Sequence, residues 1–347
     1  MPGDAHVAVL GAGAWGTALA LSLAERGDAV RLWTWQTDHA RELAQDRENK
    51  RFFPGFPLHE RVEPSSELAH TLAGAKLVII VVPTPAVRGV LEQAAPYLAG
   101  DAPLAVASKG IEVDSDMLLT EVIESVLGPR ARPRSLVLSG PSFAQEVARG
   151  LPTSLVAAAF QMDAAIRAQM SIATERLRIY TSDDPIGVQV GGALKNVIAI
   201  AAGAVDGLGF GHNTRAALIT RGLAEIARLA VAKGGEALTL AGLAGLGDLV
   251  LTCSADLSRN RTVGLELGRG RTLDEVLVSL GHVAEGVTTA KSAYQLSQKL
   301  GVELPITNAV YRVIYENQPV DDAVRGLLMR PPRKERDTRP PRKGSES

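Results

Sequence analysis

Gly11, Gly13 and Gly16 fall at the spacing G-x-G-x-x-G, directly behind the apolar run Val7–Leu10 and directly ahead of the apolar-periodic stretch Thr17–Glu25. A strand, a tight turn and a helix start in that order make a cradle for a dinucleotide. Gly11 permits the turn, Gly13 takes a Cβ out of the path of a pyrophosphate, and Gly16 lets helix and strand approach closely. The N–H groups at the helix start then face the phosphates. The carboxylate expected about 20 residues further on, to hold a ribose 2′-hydroxyl, is missing. Trp33-Thr34-Trp35-Gln36 stands there instead, with Trp35 placed to stack on an adenine and only Arg31 and Arg41 near enough to meet a 2′-phosphate. The turn therefore predicts NAD or NADP without choosing between them.

A second set of residues offers proton transfer and anion binding. Lys195 interrupts an otherwise apolar helical pattern that opens at Val190. An ammonium there is costly unless it pairs or sheds its proton, which is how a lysine becomes a general acid or base. Lys109, between the strand-like run Leu104–Ala107 and Gly110, adds positive charge at a strand end. Gly140-Pro141-Ser142, ahead of a helical Phe143–Ala148, presents N–H groups and a hydroxyl to an anion or a carboxamide. Gly245-Leu246-Gly247-Asp248-Leu249 places a carboxylate able to orient Lys195. Ser258-Arg259-Asn260-Arg261 gathers guanidinium forks with neutral donors, a set that suits a phosphate. Singly, each has an ordinary reading as well: Asp248 and Ser142 as helix caps, the arginines and lysines as surface charge.

The elements that must position these groups are legible from the pattern. Apolar runs at Val7–Leu10, Ala29–Trp33, Leu77–Val82, Leu104–Ala107, Leu136–Leu138, Leu155–Ala159 and Leu177–Tyr180 alternate with helical stretches, the signature of a mostly parallel, doubly wound α/β sheet. Val81-Val82-Pro83-Thr84, Ser108-Lys109 and Ser139-Gly140-Pro141-Ser142 end three of these runs, where such sheets bind ligands. From Pro185 on, Ala/Leu/Val-rich helical spacing takes over. The expected division is a dinucleotide-binding domain over 1–184, a helical substrate and catalytic domain over 185–330, and a disordered basic tail over 331–347, too poor in apolar residues to offset its ordering entropy.

Composition narrows the partners. With 347 residues and a formal charge of -1, the chain lacks the basic field that nucleic acid or an anionic membrane surface demands, so any anion site is local. Cys253 is the sole cysteine, which excludes an internal disulfide and multi-cysteine metal sites and suits a reducing compartment. No metal is expected. The start of the chain lacks the basic segment and long apolar run of a signal peptide, no stretch reads as a membrane span, and the expected address is the cytoplasm. The six histidines fall outside the motifs and read as surface or loop residues.

Taken in order, GAGAWGTALA, VPT, SKG, SGPSFAQE, GGALKN, GHNTRAALITRG, GLAGLGDLVLTC, SRNR and VAEGVTTA, running from Gly11 to Ala290, closely resemble the bacterial NAD(P)-dependent glycerol-3-phosphate dehydrogenases. The resemblance implies a Rossmann-like domain followed by an all-α domain of the 6-phosphogluconate dehydrogenase C-terminal type. It also implies reversible reduction of dihydroxyacetone phosphate to sn-glycerol 3-phosphate for glycerophospholipid synthesis, in a homodimer. In such enzymes Lys195 would be the proton donor and acceptor, with Lys109 and Asp248 beside it in catalysis. Lys109, Gly140, Ser142, Lys195, Asp248, Ser258, Arg259 and Asn260 would surround the substrate, and Gly11, Gly13, Trp15, Gly16, Trp35, Lys109, Ala144, Arg259, Val283 and Glu285 the cofactor. The sequence departs from the family where Ala14 replaces a frequent serine and where the basic residue that members often carry near Trp35 is missing.

Read from the residues alone, two alternatives stay open. One is another two-domain dehydrogenase acting on a sugar acid, hydroxyacid or nucleotide sugar; the last would use Cys253 as a nucleophile, for which no histidine base is apparent, and a hydroxyacyl enzyme would want a His–carboxylate pair. The other is a non-catalytic dinucleotide sensor, which accounts for the glycines but not for Lys109, Lys195, Asp248 and Arg259-Asn260.

Overall fold

All five residues of the first strand, β1 (His6–Leu10), are buried, as expected of a parallel strand covered by helices on both faces. In the computed structural model, which describes residues 5–98, 100–281, 284–331 and 334–335, β1 is central to a sheet of eight strands. The others in chain order are β2 (Ala29–Trp33), β3 (Glu48–Asn49), β4 (Phe53–Pro57), β5 (Val62–Ser65), β6 (Ala75–Ile80), β7 (Leu104–Val106), β8 (Ser135–Ser139), β9 (Thr153–Ala159) and β10 (Leu177–Ser182). The sheet runs β10-β9-β8-β7-β6-β1-β2-β5, and β3 and β4 form a separate antiparallel pair. Only β8 and β9 pair antiparallel within the large sheet, so β9 and β10 run against the other six strands.

Each of the seven expected strands is present. The strands absent from the expectation are β5, whose VEPS carries a proline at the sheet edge where the lost donor is tolerated, and the proline-rich pair β3–β4. Strand order reverses at β1: the chain proceeds outward through β2 and β5, then returns to lay β6 on β1's other side. The crevice outside the carboxyl ends of β1 and β6 is the switch point at which such sheets hold ligands.

Two compact units make up the chain. Residues up to Lys109 with Met117–Gln189 form the first, and Gly110–Asp116 with the residues from Val190 on form the second. The expected division at 184/185 differs in two places: the start of the helix Pro185–Gly207 groups with the first unit as far as Gln189, and the short segment behind Lys109 groups with the second. The expected tail lies outside the described residues apart from 331 and 334–335.

From residue 183 on, the described residues contain helices and no strand. Pro185–Gly207 is long and apolar enough to span a membrane, yet 94% of its most apolar window is buried inside the protein, which makes it a core helix. It packs at unusually close range on the helix Arg259–Gly268. A Cβ on Gly203 would overlap the carbonyl oxygen of Arg261, and one on Gly264 would overlap that of Ile200; Gly207 and Gly268 repeat the arrangement one turn on. Glycine at all four places lets the backbones touch. The same contact sets the helix that carries Lys195 against the helix that begins at Arg259.

Two effects compete at these glycines, and a substitution separates them. Helix propensity alone favours Gly264→Ala by about 1 kcal/mol, whereas forced overlap in a packed contact costs about 1–3 kcal/mol or more. We expect overlap to win, with Gly264→Ala lowering the melting temperature by several degrees. Gly326→Ala, in the exposed helix Val320–Leu328 with open space around it, should raise it slightly. Thermal unfolding of the two variants side by side checks both signs.

Candidate functional site

At the glycine turn the structure shows why each residue is small. Gly11 has φ +127°, and a Cβ there would come within 2.8 Å of the Val81 carbonyl oxygen. One on Gly16 would overlap the Gly11 carbonyl oxygen, so the helix Ala14–Glu25 rests directly on the turn. Gly13 looks into open space, with nothing within 4 Å of where its Cβ would be. A cradle closed on the protein side and open at Gly13 fits the pyrophosphate of a dinucleotide, with the N–H groups of the first helical turn as donors. Trp15 and Ala144 are partly buried against the same core, and Ala144 opens the short helix Ala144–Ala148.

Around the expected adenosine end the side chains sort themselves. Trp35 is 74% exposed, free to present its face to a base. Arg31 is committed to the carbonyl oxygens of His70 and Ala73 and to Glu63. Arg41 is exposed on the helix Thr37–Asp46. Arg51, absent from the sequence expectation, is held by Asp38 and Glu42 at the surface, and its guanidinium keeps the Asp38 carboxyl below the usual range.

Beyond β6, β7 and β8 three motifs are tied to one another. Ser108 Oγ donates to the Val82 carbonyl oxygen at 2.5 Å. Lys109 Nζ and Ser142 Oγ both donate to the carbonyl oxygen of Gly140 at 3.0 Å. Gly140 itself has φ +141°, a conformation that favours glycine. Lys109, Gly140 and Ser142 are thus neighbours at the edge where sheets of this kind bind ligands, with the lysine's charge oriented by a backbone oxygen.

In the helical unit, the predicted pairing of Lys195 with Asp248 is present. Lys195 is 7% exposed and Asp248 fully buried, and the Lys195 ammonium donates to Asp248 Oδ1 and, at 2.9 Å, to Thr252 Oγ1. Thr252 Oγ1 donates its own hydrogen bond to the Asp248 carbonyl oxygen at 2.6 Å, so its hydroxyl oxygen is left to accept from the lysine. Thr252 was not foreseen; it stands one helical turn beyond Asp248, the spacing that places two side chains on one face. Its neighbour Cys253 is wholly buried, and burial pushes its thiol up to about 12. A thiol that keeps its proton is no nucleophile.

The Ser258–Arg261 run divides by role. Ser258 caps the helix Arg259–Gly268, its Oγ accepting from Arg261 N at 3.3 Å. Arg261 is bound to Asp206 and Asp256, and Asp206 also holds Arg215, so this arginine is structural. Arg259 is exposed, and its guanidinium has no hydrogen bond or ion pair among the described residues. Asn260 donates to Asn196 Oδ1 at 3.0 Å and accepts from Gly286 N at 2.9 Å, which keeps one amide hydrogen for another acceptor. Asn196, directly after Lys195, was missed as a partner. Glu285 begins the helix Glu285–Leu300, and Val283 lies outside the described residues.

The histidine expectation needs correction. His6 and His39 are buried, His6 Nε2 against the Thr71 carbonyl oxygen and His39 between Thr34 and Asn49. The His70–Glu63 pair, 2.8 Å apart, is exposed at the sheet edge away from the motifs and offers no acid–base dyad to a substrate.

Known proteins give an independent comparison. Residues 6–165 match the family described as NAD-dependent glycerol-3-phosphate dehydrogenase N-terminus, and residues 184–325 the one described as its C-terminus. The protein named glycerol-3-phosphate dehydrogenase [NAD(P)+] of Citrifermentans bemidjiense is 50% identical over 324 residues, 93% of this chain and 97% of the relative. Its namesake in Anaeromyxobacter dehalogenans is 52% identical over 322 residues, 93% and 97% of the two chains. The crystal structure of glycerol-3-phosphate dehydrogenase from Coxiella burnetii superposes with a TM-score of 0.90 at 41% identity, covering 94% of this chain and 99% of that one.

Burial of Cys253 has a direct readout. A water-soluble maleimide at pH 8 should leave the native thiol unmodified over hours and label it fully once denaturant is added. Rapid labelling of the native protein would contradict the burial that holds the thiol protonated.

Proposed function

We infer that this chain, which belongs to the NAD-dependent glycerol-3-phosphate dehydrogenase family, is an oxidoreductase that transfers hydride reversibly between NAD(P)H and dihydroxyacetone phosphate, giving sn-glycerol 3-phosphate. The observation that carries the chemistry is the ammonium of Lys195, buried and held by Asp248 and Thr252.

The nicotinamide, when bound, supplies or accepts the hydride. Everything else falls to the chain's own residues. In reduction, the carbonyl oxygen of the substrate gains negative charge and needs a proton; Lys195 Nζ delivers it, and Asp248 keeps that nitrogen charged until transfer. In oxidation the same nitrogen takes the hydroxyl proton. Lys109 adds positive field to the developing alkoxide, and Gly140 and Ser142 hold the substrate with it. Arg259, Ser258 and Asn260 bind the phosphate, which turns remote binding energy into orientation of the reacting carbon. Gly11, Gly13 and Gly16 receive the pyrophosphate, and Trp15, Trp35, Ala144, Val283 and Glu285 line the cofactor. Arg259, exposed and without a partner among the described residues, supports the phosphate role, since Arg261 beside it is already neutralised.

A role in glycerophospholipid synthesis follows from the product. A cytoplasmic address is supported by the lone, reduced cysteine. We propose a homodimer, for which Leu246 and Val250, exposed four residues apart, supply apolar surface.

Loss of NADH or NADPH absorbance on adding dihydroxyacetone phosphate tests substrate and cofactor together; no loss with either cofactor would overturn the reading. Lys195→Ala should lower kcat by about two orders of magnitude or more with NADH binding unchanged. Arg259→Ala should raise KM for dihydroxyacetone phosphate about tenfold or more with a smaller effect on the cofactor.

A further inference from the structure

We propose that Asn49 is a positioning residue for the cofactor: it sets the orientation of the Ala12–Gly13 peptide so that the Gly13 N–H faces the pyrophosphate. The inference rests on assigning the pyrophosphate to Gly11–Gly16.

Asn49 lies on β3, outside every motif of the sequence, and is completely buried. Its amide makes four hydrogen bonds. Nδ2 donates to the Ala12 carbonyl oxygen at 2.9 Å and to Thr17 Oγ1 at 2.8 Å, while Oδ1 accepts from Phe52 N at 3.2 Å and lies 3.1 Å from His39 Nε2. That is the full capacity of the side chain. The amide cannot be turned over, because a backbone N–H faces one end and a carbonyl oxygen the other. His39 must then carry its proton on Nε2 and accept on Nδ1 from Thr34 Oγ1, 3.3 Å away, and burial favours that neutral form by lowering its pKa.

The consequence for the turn follows from peptide geometry. No peptide among the described residues is cis, and in a planar trans peptide the C=O and the following N–H point to opposite sides. By drawing the Ala12 oxygen into the protein, Asn49 turns the Gly13 N–H outward, toward the open space that surrounds this glycine. The Gly13 N–H has no partner among the described residues, so it is available to a phosphate oxygen. Thr17, the second acceptor on Nδ2, lies in the first turns of the same helix, so one side chain fixes both the turn and the start of the helix. Thr34 carries the network to the end of β2, where the ribose is expected.

Asn49→Asp keeps the size and the acceptor but sets a carboxylate oxygen against the Ala12 carbonyl oxygen, which favours turning the peptide over. NADH affinity, read by fluorescence titration, should fall at least tenfold, with KM for NADH rising far more than kcat falls. Leu43→Ala, a core deletion in the adjoining helix, serves as the control for lost stability and should bind NADH as the parent does. An equal loss of affinity in the two variants at equal loss of melting temperature would make Asn49 merely structural and overturn the proposal, as would a folded Asn49→Asp that binds NADH within twofold of the parent. Should Asn49→Asp fail to fold, His39→Gln, which disturbs only the support of Oδ1, takes its place, with threefold weaker binding expected and parental affinity contradicting it. Gly13→Asp tests the underlying assignment: parental binding there removes the pyrophosphate from this turn, whereas lost binding there with parental binding in Asn49→Asp removes the role of Asn49 alone.

Discussion

A lysine ammonium buried beside a carboxylate is the constraint around which the helical unit is built. Taking each ion out of water costs several kcal/mol, and the attraction between them recovers this only when the geometry is tight and the remaining polar valences are filled. Lys195 and Asp248 meet that condition with the help of Thr252, whose hydroxyl donates backward and so accepts from the lysine. Apolar residues of similar volume would fill the space at less cost. The proposed mechanism gives the pair a reason in chemistry, that of holding a proton in a dry site for release to a developing alkoxide.

Close backbone packing keeps that pair in register with the residues proposed to hold the phosphate. Gly203 lies against the backbone of Arg261 and Leu265, Gly264 against that of Ile200 and Ala204, and Gly207 against Gly268, so the helix bearing Lys195 and the helix starting at Arg259 touch main chain to main chain. Asn260 adds polar links from that second helix to Asn196 and Gly286. In the first unit, the reversal of strand order at β1 and β6 opens the crevice, and the carbonyl oxygen of Gly140 collects Lys109 and Ser142 at the same edge of the sheet. Both units thus use backbone atoms to aim side chains, which limits the entropy lost when a ligand arrives.

Much of this was legible because burial on both faces writes continuous apolar runs into parallel strands; β1, β6 and β7 need no partner information to be seen. β5 and the β3–β4 pair were illegible for the opposite reason: prolines at a sheet edge and in a two-stranded ribbon erase the pattern. Lys195 stood out as a charge inside an apolar helix, and the glycine turn by its spacing. Thr252, Asn196, Asn49 and the buried His39 carried no such mark, since a threonine, an asparagine or a histidine is ordinary anywhere until the fold shows what faces it. The helical glycines were unmarked in the same way. In sequence they weaken a helix, and only the neighbouring backbone explains them.

The most direct test is the pH dependence of kcat for dihydroxyacetone phosphate reduction in the parent and in Asp248→Asn. On the proposed mechanism reduction requires the protonated lysine, so activity falls on the alkaline side as that proton is lost; without the adjacent anion the charged form is less favoured and is lost earlier. The account predicts that the alkaline limb of Asp248→Asn moves to lower pH by a unit or more, alongside a reduced maximum. A limb that stays in place, in a variant that still turns over, would show that the proton comes from another group and would contradict the role assigned to the buried pair.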